Sequence, residues 1–353
     1  MRPARSKGAG LLCEAALSIS AAIYGCQGTV LAETEKAFFR DVRPWGVILF
    51  ARNVSDPAQV RVLTDELRDA AGHDALVLID QEGGRVQRLR PPHWRAWPAG
   101  RRYGELYERD AETGRSAAWL GARLIAAELY AAGITANCLP VLDVPVPGAH
   151  DVIGDRAYAQ APGPVAALGL AAAEGLLAGG VLPIVKHIPG HGRAGVDSHK
   201  SLPVVDAARE ELERTDFEPF RALRHMPLGM TAHVVYTALD PAHPATTSAR
   251  IIRDIVRGVI GFGGLLMSDD LSMEALKGML GERARASLAA GCDLALHCNG
   301  HLAEMEAVAA EVPLLSGAAL LRSEAALACR KAPVGPFEAD SAYAKFSEML
   351  ATA

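Results

Sequence analysis

Three residues of this chain have the types and spacing needed for cleavage of a glycosidic bond. That reaction uses a carboxylate nucleophile on one side of the anomeric carbon and a proton donor on the other. Asp269 follows the apolar run GGLLMS, which predicts a buried strand that holds its carboxylate rigidly, so it is the candidate nucleophile. Asp270 is expected instead to accept hydrogen bonds from nearby backbone.

The candidate proton donor lies in the loop IPGHGRAGVDSHK, which contains no glutamate. Its DSH motif suggests a dyad in which Asp197 orients and polarises the imidazole of His199, a group able to give a proton near neutral pH. A histidine donor departs from the usual pair of carboxylates. The prolines and glycines of this loop predict a lid that closes over a bound ligand.

The same loop has a competing interpretation as a metal site. His187, His191, Asp197 and His199 are all plausible zinc ligands. Against zinc, the neighbouring Lys186 ammonium would repel a cation, and the chain has no HExxH pair. We therefore expect no metal or other cofactor, and a metal-dependent hydrolase remains an alternative.

Eight short apolar runs predict the strands that position these residues. Amphipathic stretches with helix-capping residues separate most of them, such as the stretch after Ser55 and Asp56 and the one after Thr247 and Ser248. Alternating strands and helices indicate parallel βαβ units, and polar clusters at several strand ends favour a single TIM-like (β/α)8 barrel over an open doubly wound sheet. The runs are 21–31, 46–51, 75–80, 134–144, 182–187, 228–236, 263–270 and 292–298.

Polar residues concentrate where these predicted strands end. In a TIM barrel such residues line the active site. Burying so many charges at one rim is costly unless they pair or face a ligand. They are Asp80, Glu82, Arg85, Arg88, Asp143, Asp155, Arg156, Lys186, His187, His233, Asp269 and Asp270.

Composition bounds the organisation of the chain. Half of its 353 residues are hydrophobic, which suits one catalytic barrel over residues 21–340, with a flexible extension over 1–20 and a tail over 341–353 that packs on the barrel. Arg2, Arg5 and Lys7 before an apolar stretch loosely resemble a secretory signal, but Glu14 argues against one. One or two helices are expected after Asn299.

Net charge, hydropathy and cysteine content limit the classes of partner and the cellular location that we expect. The net charge of −5 and the scattered basic residues argue against nucleic acid, and no run of about 20 apolar residues predicts a membrane span. The six cysteines form no CxxC pair and are expected to be reduced core residues of a cytoplasmic protein. We expect a monomer that acts on a small carbohydrate.

At this point several motifs together resemble the bacterial β-N-acetylglucosaminidases of glycoside hydrolase family 3. They are KHIPGHG followed by DSH, MSDDLSM, DQEGGRVQRL, IYGCQG, WGVILFARN, PVLDV, VIGDRAY, MTAHVVY and AGCDLALHCN, and they cover nearly the whole chain. The N-terminal 18 residues are not part of the family pattern.

The resemblance implies a role for each candidate. Asp269 forms a covalent glycosyl-enzyme, and Asp197 with His199 is the acid/base pair of a mobile loop. The hydroxyls of the terminal sugar are held by Asp80, Arg88, Arg156, Lys186 and His187. The family enzymes act without metal in cytoplasmic peptidoglycan recycling, removing N-acetylglucosamine from 1,6-anhydro-N-acetylmuramyl peptides. Larger relatives supply the acid from a second domain, for which this chain ends too early.

Three further alternatives remain open. A phosphorylase would use phosphate instead of water to resolve the glycosyl-enzyme, and a β-glucosidase would keep the scaffold and the mechanism with another sugar. A carbohydrate-binding module without catalysis would need none of Asp269, Asp197 and His199.

Overall fold

Eight parallel strands close into a barrel in sequential order. The computed structural model describes residues 19–198 and 200–351. Each strand pairs with its neighbours along the chain, and β1 closes the circle against β8. The strands are β1 Ser20–Gly25, β2 Pro44–Leu49, β3 Leu76–Ile79, β4 Ala136–Asn137, β5 Leu182–Ile188, β6 Leu228–Thr231, β7 Leu265–Asp270 and β8 Leu294–His297.

All eight strands coincide with predicted runs, although β1, β2 and β5 begin or end one or two residues outside them. β1, β4 and β6 are much shorter than predicted. β4 stops at Asn137 because Pro140, which has no N–H, interrupts the ladder, and pairing resumes only as a single bridge between Val141 and Lys186. β6 ends at Thr231, after which Val235–Tyr236 pairs with Val204–Val205 in a separate two-stranded sheet. That small sheet ties the segment after β5 to the segment after β6.

Helices surround the barrel, and two of them begin at the predicted caps. Asp56 accepts a hydrogen bond from the Gln59 N–H, and Ser248 Oγ accepts one from the Ile251 N–H. The second of these helices, Ile251–Val259, is a π-helix. The α-helices are α1 Glu33–Val42, α2 Pro57–Ala71, α3 Gly100–Arg109, α4 Ala111–Ala131, α5 Pro162–Ala178, α6 Arg209–Arg214, α7 Glu218–Ala222, α8 Leu280–Ala290, α9 Leu302–Ala309, α10 Gly317–Ala328 and α11 Ala339–Ala351.

The alternation of side chains along each strand divides the core into two layers. Inward-facing residues such as Ile23, Leu78, Ile184 and Met267 fill the barrel. Outward-facing residues such as Val77 pack against the helices. The barrel is therefore a packed core, and a ligand can enter only at its ends.

The C-terminal part of the chain holds more helix than predicted. Three helices, α9 to α11, follow Asn299, where one or two were expected. On α10, Ser323 Oγ accepts a hydrogen bond of 2.7 Å from Trp45 Nε1. On α11, Phe346 is buried against Trp97 and Tyr103.

Cysteine burial follows the prediction at four positions. Cys26, Cys138, Cys292 and Cys298 are buried and free, whereas Cys329 is exposed because it sits just beyond the end of α10 on the solvent side. Cys13 and the predicted flexible extension lie outside the described residues, apart from Ile19 and Ser20. No helix in the described part of the chain is both long and apolar enough to span a bilayer.

Candidate active site

The carboxyl ends of the strands surround one polar pocket. Asp80 continues the inward-facing row of Leu76 and Leu78 on β3, and Asp269 continues the row of Leu265 and Met267 on β7. Lys186 does the same on β5, and all three side chains line the pocket. The alternation that fills the barrel with apolar residues therefore delivers charged groups at its mouth.

An ion-pair network occupies one wall of this pocket. Lys186 Nζ lies 2.8 Å from Asp80 Oδ1 and 2.6 Å from Glu82 Oε1. Arg156 forms a two-pronged pair with the Glu82 carboxylate, at 2.9 and 2.8 Å. Arg88 donates to Asp80 Oδ2 at 3.1 Å and lies over the Phe50 ring. Glu82, which sequence reasoning placed at the rim without a role, is the link between Lys186 and Arg156.

The charged groups of this network stabilise one another in their ionised states. Burial alone would raise the pKa of Asp80 and Glu82, but the cations beside them hold both pKa values below the usual range. Burial would likewise lower the pKa of Lys186, yet the two carboxylates raise it above its ordinary value. All of these groups are therefore charged near neutral pH, a state suited to hydrogen bonding with sugar hydroxyls.

A second network holds the two histidines that follow β5. The buried Asp143 carboxylate lies 2.7 Å from His187 Nδ1 and accepts the backbone N–H groups of His187 and His191 at 3.2 and 2.6 Å. Burial opposes its ionisation, but His187 and these hydrogen bonds lower the pKa of Asp143 to about 2. The ionised Asp143 fixes His187 with its proton on Nδ1 and leaves Nε2 for a ligand.

Asp269 and Asp270 have different surroundings, as predicted. Asp270 Oδ1 accepts the N–H groups of Ser272 and Cys298, and its Oδ2 accepts the Ser272 hydroxyl at 2.5 Å. Asp269 Oδ1 accepts the Asp270 N–H at 2.8 Å. Burial would raise the pKa of Asp269, but His187, His233 and this N–H hold it below the usual value. Asp269 is thus an ionised carboxylate facing the pocket.

The loop after β5 is firmly held in its first half. Asp143 binds the His191 N–H, and Arg193 pairs with the buried Asp216 at 2.7 Å. A Cβ atom on Gly192 would lie 2.1 Å from the Val144 carbonyl oxygen, so only glycine permits this packing. The part predicted to move therefore begins after Ala194, where Gly195 and Val196 are exposed.

The second half of the loop carries the predicted acid/base dyad. Ser198 lines the pocket and its Oγ lies 3.0 Å from Nε2 of His191, whose pKa burial lowers to about 4. Asp197 is half-buried beside Ser198, and its carbonyl accepts the N–H groups of Lys200 and Ser201. His199, the predicted acid/base, lies outside the described residues.

One ring nitrogen of each of the two described histidines considered as zinc ligands already has a partner. His187 Nδ1 faces Asp143, and His191 Nε2 faces Ser198. Within residues 19–198 and 200–351, no group of three or more histidine, cysteine, aspartate or glutamate side chains is arranged to hold a metal ion.

Comparison with known proteins identifies the family. The model described as "Glycosyl hydrolase family 3 N terminal domain" matches residues 21–322. The chain belongs to glycosyl hydrolase family 3. The predicted family, the eight-stranded barrel and the glycoside hydrolase class are thereby confirmed.

Its relatives are similar over most of their length. The β-hexosaminidase of Alkalilimnicola ehrlichii is 41% identical over 293 residues, 82% of this chain and 83% of that protein. That of Bordetella avium is 40% identical over 276 residues, 77% of this chain and 78% of the relative. The solved structure of NagZ from Neisseria gonorrhoeae, in complex with N-trifluoroacetyl-D-glucosamine, is 33% identical with a TM-score of 0.82, covering 95% of this chain and 97% of that one.

The structure brings together most of the residues that the sequence singled out. The pocket is lined by Asp80, Arg88, Arg156, Lys186, His187, His191, Asp269 and Asp270. Sequence reasoning placed Asp143 at a strand end without a function and missed Ser198 and Phe50. Arg85 serves the rim instead, pairing with Asp151 and Asp155 of the loop that carries Arg156.

Proposed function

We propose that this family 3 hydrolase removes a terminal, non-reducing N-acetylglucosamine from β-linked substrates by double displacement. The single observation that carries the proposal is the ionised Asp269 carboxylate on the inward face of β7, in a pocket lined by the charged residues Asp80, Arg88, Arg156 and Lys186. The pocket volume is about 140 Å³. That is well below the ~300 Å³ and more of a drug-sized site, and it suits one sugar ring and therefore exo cleavage.

The proposed reaction proceeds in two steps, formation and then hydrolysis of a glycosyl-enzyme. Asp269 attacks the anomeric carbon while His199, oriented by Asp197, gives a proton to the departing glycosidic oxygen. His199 then takes a proton from water, the water oxygen bonds to the anomeric carbon, and the Asp269 ester breaks. Two inversions return the β configuration. Asp80, Arg88, Arg156, Lys186 and His187 hold the hydroxyls of the sugar throughout.

The proposed physiological substrate is a peptidoglycan fragment, N-acetylglucosamine linked to a 1,6-anhydro-N-acetylmuramyl peptide, cleaved during cell-wall recycling. Its support is the resemblance in sequence motifs and the similarity to proteins named β-hexosaminidase and NagZ. The same resemblance supports a cytoplasmic enzyme. Composition and charge support a catalytic unit that spans residues 21–340 and has no nucleic acid or membrane partner, and we propose that it is a monomer.

The test is hydrolysis of 4-nitrophenyl N-acetyl-β-glucosaminide beside the matching β-glucoside. We expect preference for the N-acetyl sugar, unchanged by EDTA and by added phosphate. Preference for the glucoside would keep the mechanism and overturn the substrate. Loss of activity in EDTA would favour a metal-dependent hydrolase, and a rate that rises with phosphate would favour a phosphorylase.

A further inference from the structure

Asp270, the residue after the proposed nucleophile, lies where the ladder between two strands has ended. β7 pairs with β6 from Leu265 to Met267, and β6 stops at Thr231. A partly buried carbonyl beyond that point still requires a hydrogen-bond donor. For the Asp270 carbonyl the donor is a side chain, since Nε2 of His233 lies 3.0 Å from its oxygen. This contact joins the segment after β6 to the end of β7.

The same contact fixes which nitrogen of His233 carries the proton. A carbonyl oxygen only accepts hydrogen bonds, so Nε2 must be the donor. Burial lowers the pKa of His233, although the Asp269 carboxylate opposes this effect, and the ring is therefore neutral near pH 7. In the neutral ring Nδ1 is an acceptor, and it lies 2.7 Å from the hydroxyl oxygen of Thr246.

Thr246 holds the ring in this state. Its hydroxyl oxygen lies 3.1 Å from the Ala232 carbonyl oxygen, which is a longer contact than the one to Nδ1. The Thr231 hydroxyl, 2.8 Å away, can donate to Thr246 while Thr246 donates to Nδ1. His233, Thr231 and Thr246 are all fully buried. A buried set in which each donor faces an acceptor keeps the ring in one orientation.

The backbone that His233 holds also supports the Asp269 carboxylate. The Asp270 N–H donates to Asp269 Oδ1 at 2.8 Å. The Asp270 carboxylate accepts the N–H groups of Ser272 and Cys298 at 3.0 and 3.1 Å. With His233 on the carbonyl, the N–H, the carbonyl and the carboxylate of Asp270 are all bound. A carboxylate supported by a backbone that is held in this way has little freedom to leave its reactive position.

We propose that His233 is a positioning residue for the nucleophile, which fixes the Asp269 carboxylate by donating from Nε2 to the Asp270 carbonyl. This inference rests on the proposed function, because it takes Asp269 as the nucleophile. In the described part of the chain, Lys186 and His187 line the sugar pocket and His233 does not. Loss of the His233 hydrogen bond should therefore slow attack on the anomeric carbon and leave sugar binding intact.

The experiment compares two replacements that keep different halves of the imidazole. In His233→Gln the amide nitrogen can take the position of Nε2 and donate to Asp270. In His233→Asn the shorter side chain reaches only the position of Nδ1. The matched control is His73→Asn, because His73 Nε2 likewise lies 2.9 Å from a backbone carbonyl oxygen, that of Pro44 at the opposite end of the barrel.

The measurements are kcat and KM on 4-nitrophenyl N-acetyl-β-glucosaminide, the inhibition constant of free N-acetylglucosamine, and ¹⁵N NMR of the wild-type histidine rings. We expect His233→Asn to lower kcat about 10- to 100-fold, as for a displaced reacting group, with an inhibition constant within about twofold of wild type. His233→Gln should keep kcat within about threefold of wild type because it keeps the hydrogen bond. His73→Asn should behave as wild type, and His233 should be protonated on Nε2.

Any of three kinetic results would overturn the assignment. They are wild-type kcat in His233→Asn, equal losses in His233→Asn and His233→Gln, and an inhibition constant that rises as much as kcat falls. The NMR measurement requires no variant to fold, and a His233 ring with its proton on Nδ1 would overturn the assignment as well. A wild type inactive on the aryl N-acetylglucosaminide overturns the proposed function instead, and the positioning assignment falls with it.

Discussion

Replacement of Asp143 by asparagine tests whether this buried carboxylate controls His187, a residue that we propose holds the sugar. Asp143 is fully buried, and its Oδ2 lies 2.7 Å from His187 Nδ1 while its Oδ1 accepts two backbone N–H groups. An asparagine can keep its carbonyl oxygen toward the backbone but then presents an NH₂ group to His187 Nδ1. Two donors would face each other unless the ring moves its proton to Nε2.

The size of the effect follows from what is lost. One hydrogen bond to a charged group is worth about 1.5–3 kcal/mol. In the other tautomer of His187, Nε2 carries the proton and presents a hydrogen-bond donor to the pocket in place of an acceptor. At about 1.4 kcal/mol for each factor of ten, we expect kcat/KM to fall by about 10- to 100-fold. Folding also lowers the pKa of Asp143 from 3.8 to about 2, so the ionised carboxylate stabilises the protein by about 2 kcal/mol above about pH 4.

The assays are steady-state kinetics on the aryl N-acetylglucosaminide and thermal unfolding of Asp143→Asn, with ¹⁵N NMR of the histidine ring nitrogens to report the tautomer. Asp65→Asn, at an exposed position paired with Arg61 on its own helix, is the control. An Asp143→Asn enzyme with wild-type kcat/KM and His187 still protonated on Nδ1 would refute the reasoning.

Four further outcomes are expected. Asp269→Ala should abolish turnover while the circular dichroism spectrum and melting temperature stay near those of the wild type. Activity of this variant at the wild-type level would show that Asp269 is not the nucleophile. His199→Ala should reduce hydrolysis of natural substrates far more than that of aryl glycosides, whose leaving groups need little protonation; equal losses would argue against the acid function. Phe346→Ala should cost about 3–5 kcal/mol in denaturant unfolding by leaving a cavity beside Trp97 and Tyr103, and a change below 1 kcal/mol would contradict the packing of α11. The lowered pKa values of Asp80, Glu82 and Asp143 mean that their contribution to stability is present above about pH 4 and is lost as pH falls through the folded pKa, so acid titration of Glu82→Gln should show a shallower loss than wild type.

Much of the fold was predictable because a barrel strand can be recognised in the sequence as a short apolar run followed by polar residues. Leu76, Leu78 and Asp80 illustrate this, since one alternating row supplies both the core and the site. The true end of β4 was not predictable from apolarity, because the residues after Pro140 stay buried without continuing the ladder. The C-terminal tail was expected to pack on the barrel but was not identified as a helix, and the contacts of α11 with Trp97 and Tyr103 join residues that are far apart in sequence.

The sequence predicted most of the individual site residues but not the hydrogen bonds and ion pairs that join them. Chain position alone placed Glu82 and Asp143 near strand ends, yet it could not show that Glu82 joins Lys186 to Arg156 or that Asp143 orients His187. Those links depend on distances across strands that are far apart in sequence.

The most direct test of the account is to trap the glycosyl-enzyme. A 5-fluoro N-acetylglucosaminyl fluoride, which forms the covalent intermediate faster than it is hydrolysed, should be incubated with the enzyme, digested and mapped by mass spectrometry. We expect one sugar per chain, attached within the peptide that contains Asp269 and absent from Asp269→Ala. A sugar attached at another carboxylate, or steady turnover with no covalent adduct, would contradict the assignment of Asp269 as the nucleophile of a retaining N-acetylglucosaminidase.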